Sequence, residues 1–302
     1  MEQPARCTRS SPPSFVLLTS VYDPPRSNVW RQVLDLLLQQ LFPSPCLGCD
    51  GLAPDGLDGL GLCPCCRGQI PRLRPPLCHR CCLPLSVAHP PPTFTCLACR
   101  HKPPAYDRLI ALWSYEPPVD AVIGALKFSH HADLARPLGR QMAERLEMED
   151  AAFDVFTFVP LHWQRRLARG YDQAEEITRA LTHQSGRRPH RTLRRRRATR
   201  AQSRLSRNER VANLTSAFAL RRNTDLSGQS VLLVDDVVTS GATIAAAAGC
   251  LKAAGAFTVT AAVVARTPRP GDSKSPRPAS HGPSSLLQRA STGGIQAPAG
   301  RF

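Results

Sequence analysis

The sequence predicts an α/β fold in which a parallel sheet follows a small cysteine-rich module. Ten of the twelve cysteines lie between Cys46 and Cys99. After them, short apolar runs alternate with segments of helical apolar spacing, a pattern typical of parallel sheets. Residues 1–28 contain Pro, Ser and Arg without sustained periodicity, and residues 267–302 contain Pro, Ser, Gly and Arg with too few large apolar residues to form a core. The predicted segments are a disordered leader over 1–28, a helix plus the cysteine module over 29–104, the α/β domain over 105–266 and a disordered tail over 267–302.

Each element is predicted from the spacing of its apolar residues. Ahead of the cysteine module, apolar residues at helical spacing predict a helix over 29–41, which Pro43 ends. In the α/β domain, compact β-branched and aromatic runs predict buried strands, and amphipathic segments predict helices. The predicted strands cover 109–115, 155–159, 231–234 and 258–264, and the predicted helices cover 119–128, 134–146, 173–181 and 243–254.

The chain of 302 residues is strongly basic, with 39 Lys+Arg against 23 Asp+Glu and a net charge of +16. Only four of the basic residues are lysines, and an excess of Arg, Ala and Pro also follows from nucleotide bias, so arginine count alone says little about function. Residues 187–222 nevertheless hold thirteen arginines and a single acid, Glu209. No run of 18 apolar residues and no signal peptide is present, so we expect a cytoplasmic protein without membrane insertion.

The cysteine module contains four Cys-x2-Cys pairs, which favour metal binding. Two thiolates two residues apart can bind one ion, and two such pairs complete a tetrahedral four-sulfur shell. A disulfide scaffold is disfavoured because no secretory signal is present, and a catalytic zinc because four thiolates leave no open position. Pairing neighbours therefore predicts a double zinc ribbon with two structural ions, one held by Cys46, Cys49, Cys63 and Cys66 and the other by Cys78, Cys81, Cys96 and Cys99.

The most specific motif follows the predicted strand 231–234. The strand delivers Asp235 and Asp236 to the carboxyl edge of the sheet, where ligands of open α/β folds bind. A turn of small residues then enters a helix, whose first N–H groups suit a phosphate. The Walker A and dinucleotide fingerprints are absent, and an acidic surface turn capped by Thr243 fits the preceding apolar run poorly. The motif thus predicts a sugar-phosphate site, with loop residues Thr239, Ser240, Gly241, Ala242 and Thr243.

This motif resembles the site for phosphoribosyl pyrophosphate in the type I phosphoribosyltransferases. In that family the two acids bind the ribose hydroxyls, the loop binds the 5′-phosphate, and Mg²⁺ accompanies the diphosphate; the resemblance implies these roles here. Together with the cysteine module, the motif makes the chain resemble one family in particular, the ComF family of competence-associated proteins. The resemblance also rests on Leu126-Lys127-Phe128, the run from Val159 to Glu175, and residues 195–213. One departure is Asp172, where the family more commonly has Asn.

Several basic residues are candidates to contact the ligand. Arg165, Arg166 and Arg169 follow the strand 155–159, where type I transferases hold pyrophosphate, and guanidinium forks match phosphate oxygens; the alternative is a solvated basic turn. Lys127 either contacts the anion or faces solvent at a helix end. Residues 195–213 are a catalytic lid, a nucleic-acid contact or a solvated arm. Their candidate residues are Arg195, Arg196, Arg197, Arg207 and Arg210.

The sequence therefore predicts a ComF-like protein that binds phosphoribosyl pyrophosphate, or a related sugar phosphate, with Mg²⁺. The resemblance implies a link to DNA uptake in natural competence, with single-stranded DNA and proteins of the competence machinery as partners. The basic segment 187–222 is compatible with DNA binding. The alternative is an active phosphoribosyltransferase of nucleotide metabolism with no DNA role, and no residue is assigned as its catalytic nucleophile or base.

Overall fold

The computed structural model describes residues 45–49, 51–53, 59–129, 131–149, 151–183, 185–196 and 217–268. The predicted leader 1–28, the predicted helix 29–41 and residues 269–302 of the predicted tail lie outside this part of the chain. So do three of the arginine candidates, which are Arg197, Arg207 and Arg210.

Four parallel strands form the central sheet of the described residues, in the order β1, β6, β5, β2, and β3 and β4 form an antiparallel hairpin. The strands are β1 (Arg108–Ser114), β2 (Val155–Phe158), β3 (Leu193–Arg195), β4 (Phe218–Leu220), β5 (Ser230–Val238) and β6 (Thr258–Arg266). The apolar residues of the two inner strands are buried on both faces, as in parallel sheets covered by helices. The predicted α/β class is confirmed.

Helices cover both faces of this sheet. The helices of the described residues are α1 (Pro64–Gly68), α2 (Leu97–His101), α3 (Val119–Phe128), α4 (Ala135–Glu147), α5 (Trp163–Arg169), α6 (Gln173–His183) and α7 (Ala242–Ala253). Those that pack against the sheet are α3, α4, α6 and α7, whereas α1 and α2 lie in the cysteine module. Leu232 and Val234 of β5 share one buried cluster with α3, α4 and α6. Val231 and Leu233, which point to the other face, pack in a second cluster with α7. The sheet is therefore the middle layer of three.

Two features hold the helices and the cysteine module against the α/β core. Gly139 of α4 lies against α6, where an added Cβ would meet the Cβ of Ala180 at 2.5 Å, so only glycine allows this approach. The first cysteine group is part of the same core, because Cys46, Cys63 and Cys66 pack in the cluster that contains α3 and α4. The cysteine module is thus continuous with the α/β domain on this side.

The structure has a helix, α5, soon after β2, where the apolar spacing of the sequence predicts none. The helix begins after His162, whose Nδ1 accepts a hydrogen bond from the Gln164 N–H at 3.4 Å. It ends at Gly170, which has a left-handed φ of 79°. This helix is short, rich in charged residues and buries no side chain, so apolar spacing does not predict it. No helix within the described residues is long and apolar enough to cross a membrane.

Candidate functional site

The turn between β5 and α7 lies at the carboxyl edge of the sheet. Gly241 caps α7 with a φ of 79°, and the hydroxyl of Tyr106 would lie 3.2 Å from a Cβ at that position. Glycine is therefore required here for both its conformation and its size. Thr239 and Ser240 are exposed, and the Ser240 Oγ accepts a hydrogen bond from the Ala242 N–H at 3.4 Å. The turn presents backbone N–H groups and two hydroxyls to solvent, an arrangement suited to a phosphate.

Two acids precede this turn at the end of β5. The Asp236 N–H donates to Asp235 Oδ1 at 2.9 Å, and Asp236 Oδ1 lies 2.9 Å from Lys127 Nζ. Burial raises the pKa of Asp235 well above its usual range, and the neighbouring charge of Asp236 adds to the effect. The pair therefore favours a bound cation or hydroxyl donors, either of which would stabilise the charged carboxylates.

Arg169 completes one wall of the site. Its guanidinium lies over the ring of Phe128, 5.0 Å from the ring centroid, and donates to Gln173 Oε1 at 3.0 Å. Burial lowers the pKa of Arg169, and the negative charge of Asp236 opposes this shift. The hydroxyl of Tyr171 donates to the Leu126 carbonyl, which ties this segment to α3. The fold thus brings Lys127, Arg169 and the two acids together.

The neighbouring arginines of α5 differ in their contacts. Arg166 Nη2 lies 3.6 Å from Glu175 Oε2, and the buried Glu175 also pairs with Arg179 and Arg191. Arg166 is thus engaged in an ion-pair cluster on α6. Arg165 is exposed, and its positive charge adds to the effect of burial in lowering the pKa of Arg169.

The hairpin of β3 and β4 holds the two described candidates of the arginine-rich segment. Arg195 is half-buried and its guanidinium lies over Phe218, 5.3 Å from the ring centroid. Burial lowers the pKa of Arg195, and the negative charges of Asp235 and Asp172 oppose the shift. Arg196 is exposed, and its N–H donates to the Ala217 carbonyl.

Three further residues lie at or near this edge, and the sequence patterns assigned none of them a role in the site. Tyr106 is buried with its hydroxyl beside Gly241. Asp172 is buried, its Oδ2 accepts a hydrogen bond from the Leu161 N–H at 2.8 Å, and burial raises its pKa to about 6. Arg266 ends β6, is 4% exposed, and has no hydrogen-bond partner for Nε or Nη1 among the described residues. A charged residue directly after an apolar strand was the available signal for Arg266, as it was for Asp235.

The eight paired cysteines form two groups that match the predicted sets. Within each group the four sulfur atoms lie within 4.8 Å of one another, which fits one tetrahedral metal ion. Burial alone would raise the pKa of the Cys46 and Cys96 thiols. Backbone N–H groups donate hydrogen bonds to both sulfur atoms, and together with the neighbouring thiols they lower the pKa of each to about 7. Cys65 is exposed and Cys82 is buried, and both lie outside the groups.

A buried cation supports metal binding at the second group. The positive charge of Arg266 acts on the thiol of Cys81 and favours its thiolate, although burial raises the pKa of Cys81 to about 12. Four thiolates around one divalent ion carry net negative charge, so a buried guanidinium whose Nε and Nη1 have no hydrogen-bond partner in the described part of the chain suits a metal-loaded group.

Comparisons with known proteins agree with this geometry. A family model described as "Phosphoribosyl transferase domain" matches residues 135–279. DNA utilization protein YhgH of Salmonella typhimurium is 34% identical over 220 residues, which cover 71% of this chain and 94% of that protein. YhgH of Escherichia coli K12 is 34% identical over 225 residues with the same coverage.

A solved structure is also similar to part of the chain. It is glutamine phosphoribosylpyrophosphate amidotransferase from B. subtilis, complexed with ADP and GMP, with 21% identity and a TM-score of 0.32. The match covers 44% of this chain and 26% of that protein, so the chain spans about a quarter of its length.

Proposed function

The chain belongs to the ComF family, with a phosphoribosyltransferase-type domain behind two four-cysteine groups, and on this premise we propose that it binds phosphoribosyl pyrophosphate or a related sugar phosphate. The observation that carries the proposal is the acid pair Asp235 and Asp236, set between Lys127 and the turn that opens α7. Acids, cations and a phosphate-binding turn at one edge match the parts of such a ligand.

Each part of the ligand has a counterpart in the site. The turn 239–243 and the first N–H groups of α7 suit the 5′-phosphate. Carboxylates at the end of β5 suit the ribose hydroxyls, which donate hydrogen bonds to them. Lys127, Arg169 and Arg195 supply positive charge for the diphosphate, and exposed Arg165 adds to it.

Mg²⁺ fits the same site, because it prefers carboxylate oxygens together with ligand phosphates. Asp235 and Asp236 are the residues that would hold it. When bound, the ion supplies positive charge that stabilises a departing diphosphate. The raised pKa of Asp235 is consistent with a carboxyl group that gains a cationic partner when the ligand arrives.

The two cysteine groups are proposed to hold structural zinc. Each offers four sulfur ligands, which leaves no position for water or substrate. Because the first group packs in the main core, its metal would stabilise the α/β domain as well as the module.

Calorimetry with phosphoribosyl pyrophosphate, with and without Mg²⁺, tests the proposal on the full chain. We expect saturable, Mg²⁺-dependent binding that the Asp235→Asn, Asp236→Asn double variant abolishes while its thermal unfolding stays cooperative. Asp225→Asn is a matched control, because Asp225 is exposed and its contacts to Ser227 survive in asparagine. Unchanged affinity in the double variant would reject the site.

A second part of the proposal is a role in DNA uptake. The similar relatives are named DNA utilization proteins, and exposed arginines such as Arg188, Arg194 and Arg196 belong to the basic segment 187–222. We propose that this segment contacts single-stranded DNA, in the cytoplasm and alongside competence-machinery proteins. Phosphoribosyl transfer without a DNA role is the competing outcome, and Mg²⁺-dependent turnover in the absence of DNA affinity would favour it.

A further inference from the structure

A cavity of about 490 Å³ lies on the side of the sheet where edge strand β1 meets helix α4 and the chain that follows the first cysteine group. Arg67 and Arg72 come from that chain, Trp113 from β1, and Arg140, Gln141 and Glu144 from α4. None of the residues of the candidate phosphoribosyl site lines it. Its volume lies in the range of small-ligand pockets.

The charge of this cavity is positive. Three arginines face a single acid, and that acid is already engaged, because Arg140 Nε donates to Glu144 Oε1 at 3.1 Å. Arg72 is exposed and makes no hydrogen bond or ion pair with another residue of the described ranges. Arg67 lies in the last turn of α1. An anion would meet at least one guanidinium without an acidic partner, and guanidinium groups match phosphate oxygens.

The apolar part of the cavity lining comes from Trp113 and Ile70. Trp113 is 9% exposed and packs in the main core. The exposed part of the Trp113 indole and the side chain of Ile70 give the cavity a small apolar wall, which one side of a planar base can contact. The Gln141 amide both donates and accepts hydrogen bonds, as the edge of a nucleobase does. The lining therefore combines features for a phosphate and for a flat ring.

We infer that this cavity binds a nucleotide, with its phosphate at Arg72 and Arg140 and its base against Trp113. The same chemistry is present in a free mononucleotide and in the end of a single DNA strand. The inference does not rest on the proposed function, since the two sites share no residue. The proposed nucleotide site lies where the chain after the first cysteine group packs against the α/β domain.

Calorimetry on the full chain with AMP, ribose 5-phosphate and adenosine tests the inference. AMP is expected to bind at least about tenfold more tightly than either fragment, because only AMP offers both a base and a phosphate. Arg72→Gln and Arg140→Gln are each expected to weaken AMP binding about tenfold or more, the size expected when a charge-assisted hydrogen bond is lost. Arg136→Gln is the matched control, because Arg136 is an exposed arginine of α4 that does not line the cavity.

A 5′-phosphorylated oligothymidylate distinguishes the two sources. Tighter binding of the oligonucleotide than of TMP indicates a DNA strand, and equal binding of the two indicates a free nucleotide. Either result supports the inference if the Arg72→Gln variant binds the same ligand more weakly than the wild type. No AMP binding up to millimolar concentration, or equal affinity in the wild type and the cavity variants, overturns it. So does loss of AMP binding in the Asp235→Asn, Asp236→Asn variant, which would place the nucleotide in the phosphoribosyl site.

Discussion

Lys127 Nζ lies 2.9 Å from Asp236 Oδ1, and this contact joins the end of α3 to the end of β5. Both side chains are mostly buried, at 21% and 14% exposed, so the ion pair is better shielded from solvent than a surface pair. The lysine also opposes the rise in the pKa of Asp235. One cation therefore pairs directly with Asp236 and also favours the charged form of Asp235.

Replacing Lys127 by Met is expected to weaken phosphoribosyl pyrophosphate binding about tenfold or more and to cost about 1 kcal/mol of stability. The site loses a cation, and Asp236 loses its partner. Calorimetry and urea unfolding measure the two effects. Lys252→Met is the control, since it removes a 2.7 Å ion pair with Asp107 outside the site and should lower stability alone. Equal affinity in wild type and Lys127→Met would contradict the assignment.

Gly241→Ala is expected to impair both stability and ligand binding. Alanine at a φ of 79° costs about 1–2 kcal/mol, and its Cβ would also crowd the Tyr106 hydroxyl at 3.2 Å. Gly186→Ala is the control, because it shares a positive φ of 65° but would meet nothing within 4 Å. Thermal unfolding and calorimetry separate strain from crowding. If Tyr106→Phe does not restore part of the loss in Gly241→Ala, crowding is not its cause.

The metal content should be two zinc ions per chain, and Cys46→Ser should lower it to one. Cys46 belongs to the first sulfur group and to the main core, so its loss should also lower the midpoint of thermal unfolding. Cys65→Ser should retain both ions, because Cys65 is exposed and outside the groups. Elemental analysis decides the matter; one ion in the wild type, or two in Cys46→Ser, would show that the grouping is wrong.

Asp172 should make stability depend on pH. Its pKa is about 6 in the folded chain against 3.8 as an ordinary value, because burial disfavours the charged form. The folded state therefore holds the proton longer, and stability falls as pH rises from about 4 to 6. Asp172→Asn keeps an acceptor for the Leu161 N–H and stays neutral, so it should gain up to about 2–3 kcal/mol at pH 7. Urea unfolding at pH 4.5 and at pH 7 measures the change in stability between the two pH values. The same change in Asp172→Asn as in the wild type would exclude Asp172 as the cause. Asp133→Asn is the control, because Asp133 is exposed and its loss should leave the pH dependence unchanged.

If the arginine-rich segment contacts single-stranded DNA, affinity should fall with salt. Each neutralised phosphate contributes about −0.7 to the slope of log affinity against log salt. Arg194→Gln with Arg196→Gln should therefore flatten the slope by about 1.4, because both residues are exposed on the hairpin. Arg136→Gln on α4 should leave it unchanged. Fluorescence anisotropy with a labelled oligonucleotide gives the slopes, and a double variant with the wild-type slope would remove this segment from the DNA contact.

Local patterns in the sequence were sufficient for the fold class and for the parts of the site that lie close together in the chain. The apolar run 231–234, the two acids and the small-residue turn are contiguous, so spacing alone predicts a strand, its carboxyl edge and a helix start. The cysteine pairs are equally local, and their spacing predicts the two groups that the fold assembles. Short-range geometry dominates such features, because a few φ and ψ angles place the residues.

Only the tertiary structure decided which distant residues meet. The contact of Lys127 with Asp236, the stacking of Arg169 on Phe128, and the place of Tyr106 beside Gly241 each join elements far apart in the chain. The cavity at Trp113 likewise needs β1, α4 and the cysteine module to pack together. These contacts depend on helix packing and strand order, which no local pattern encodes, since they are set by the burial of apolar surface over the whole domain.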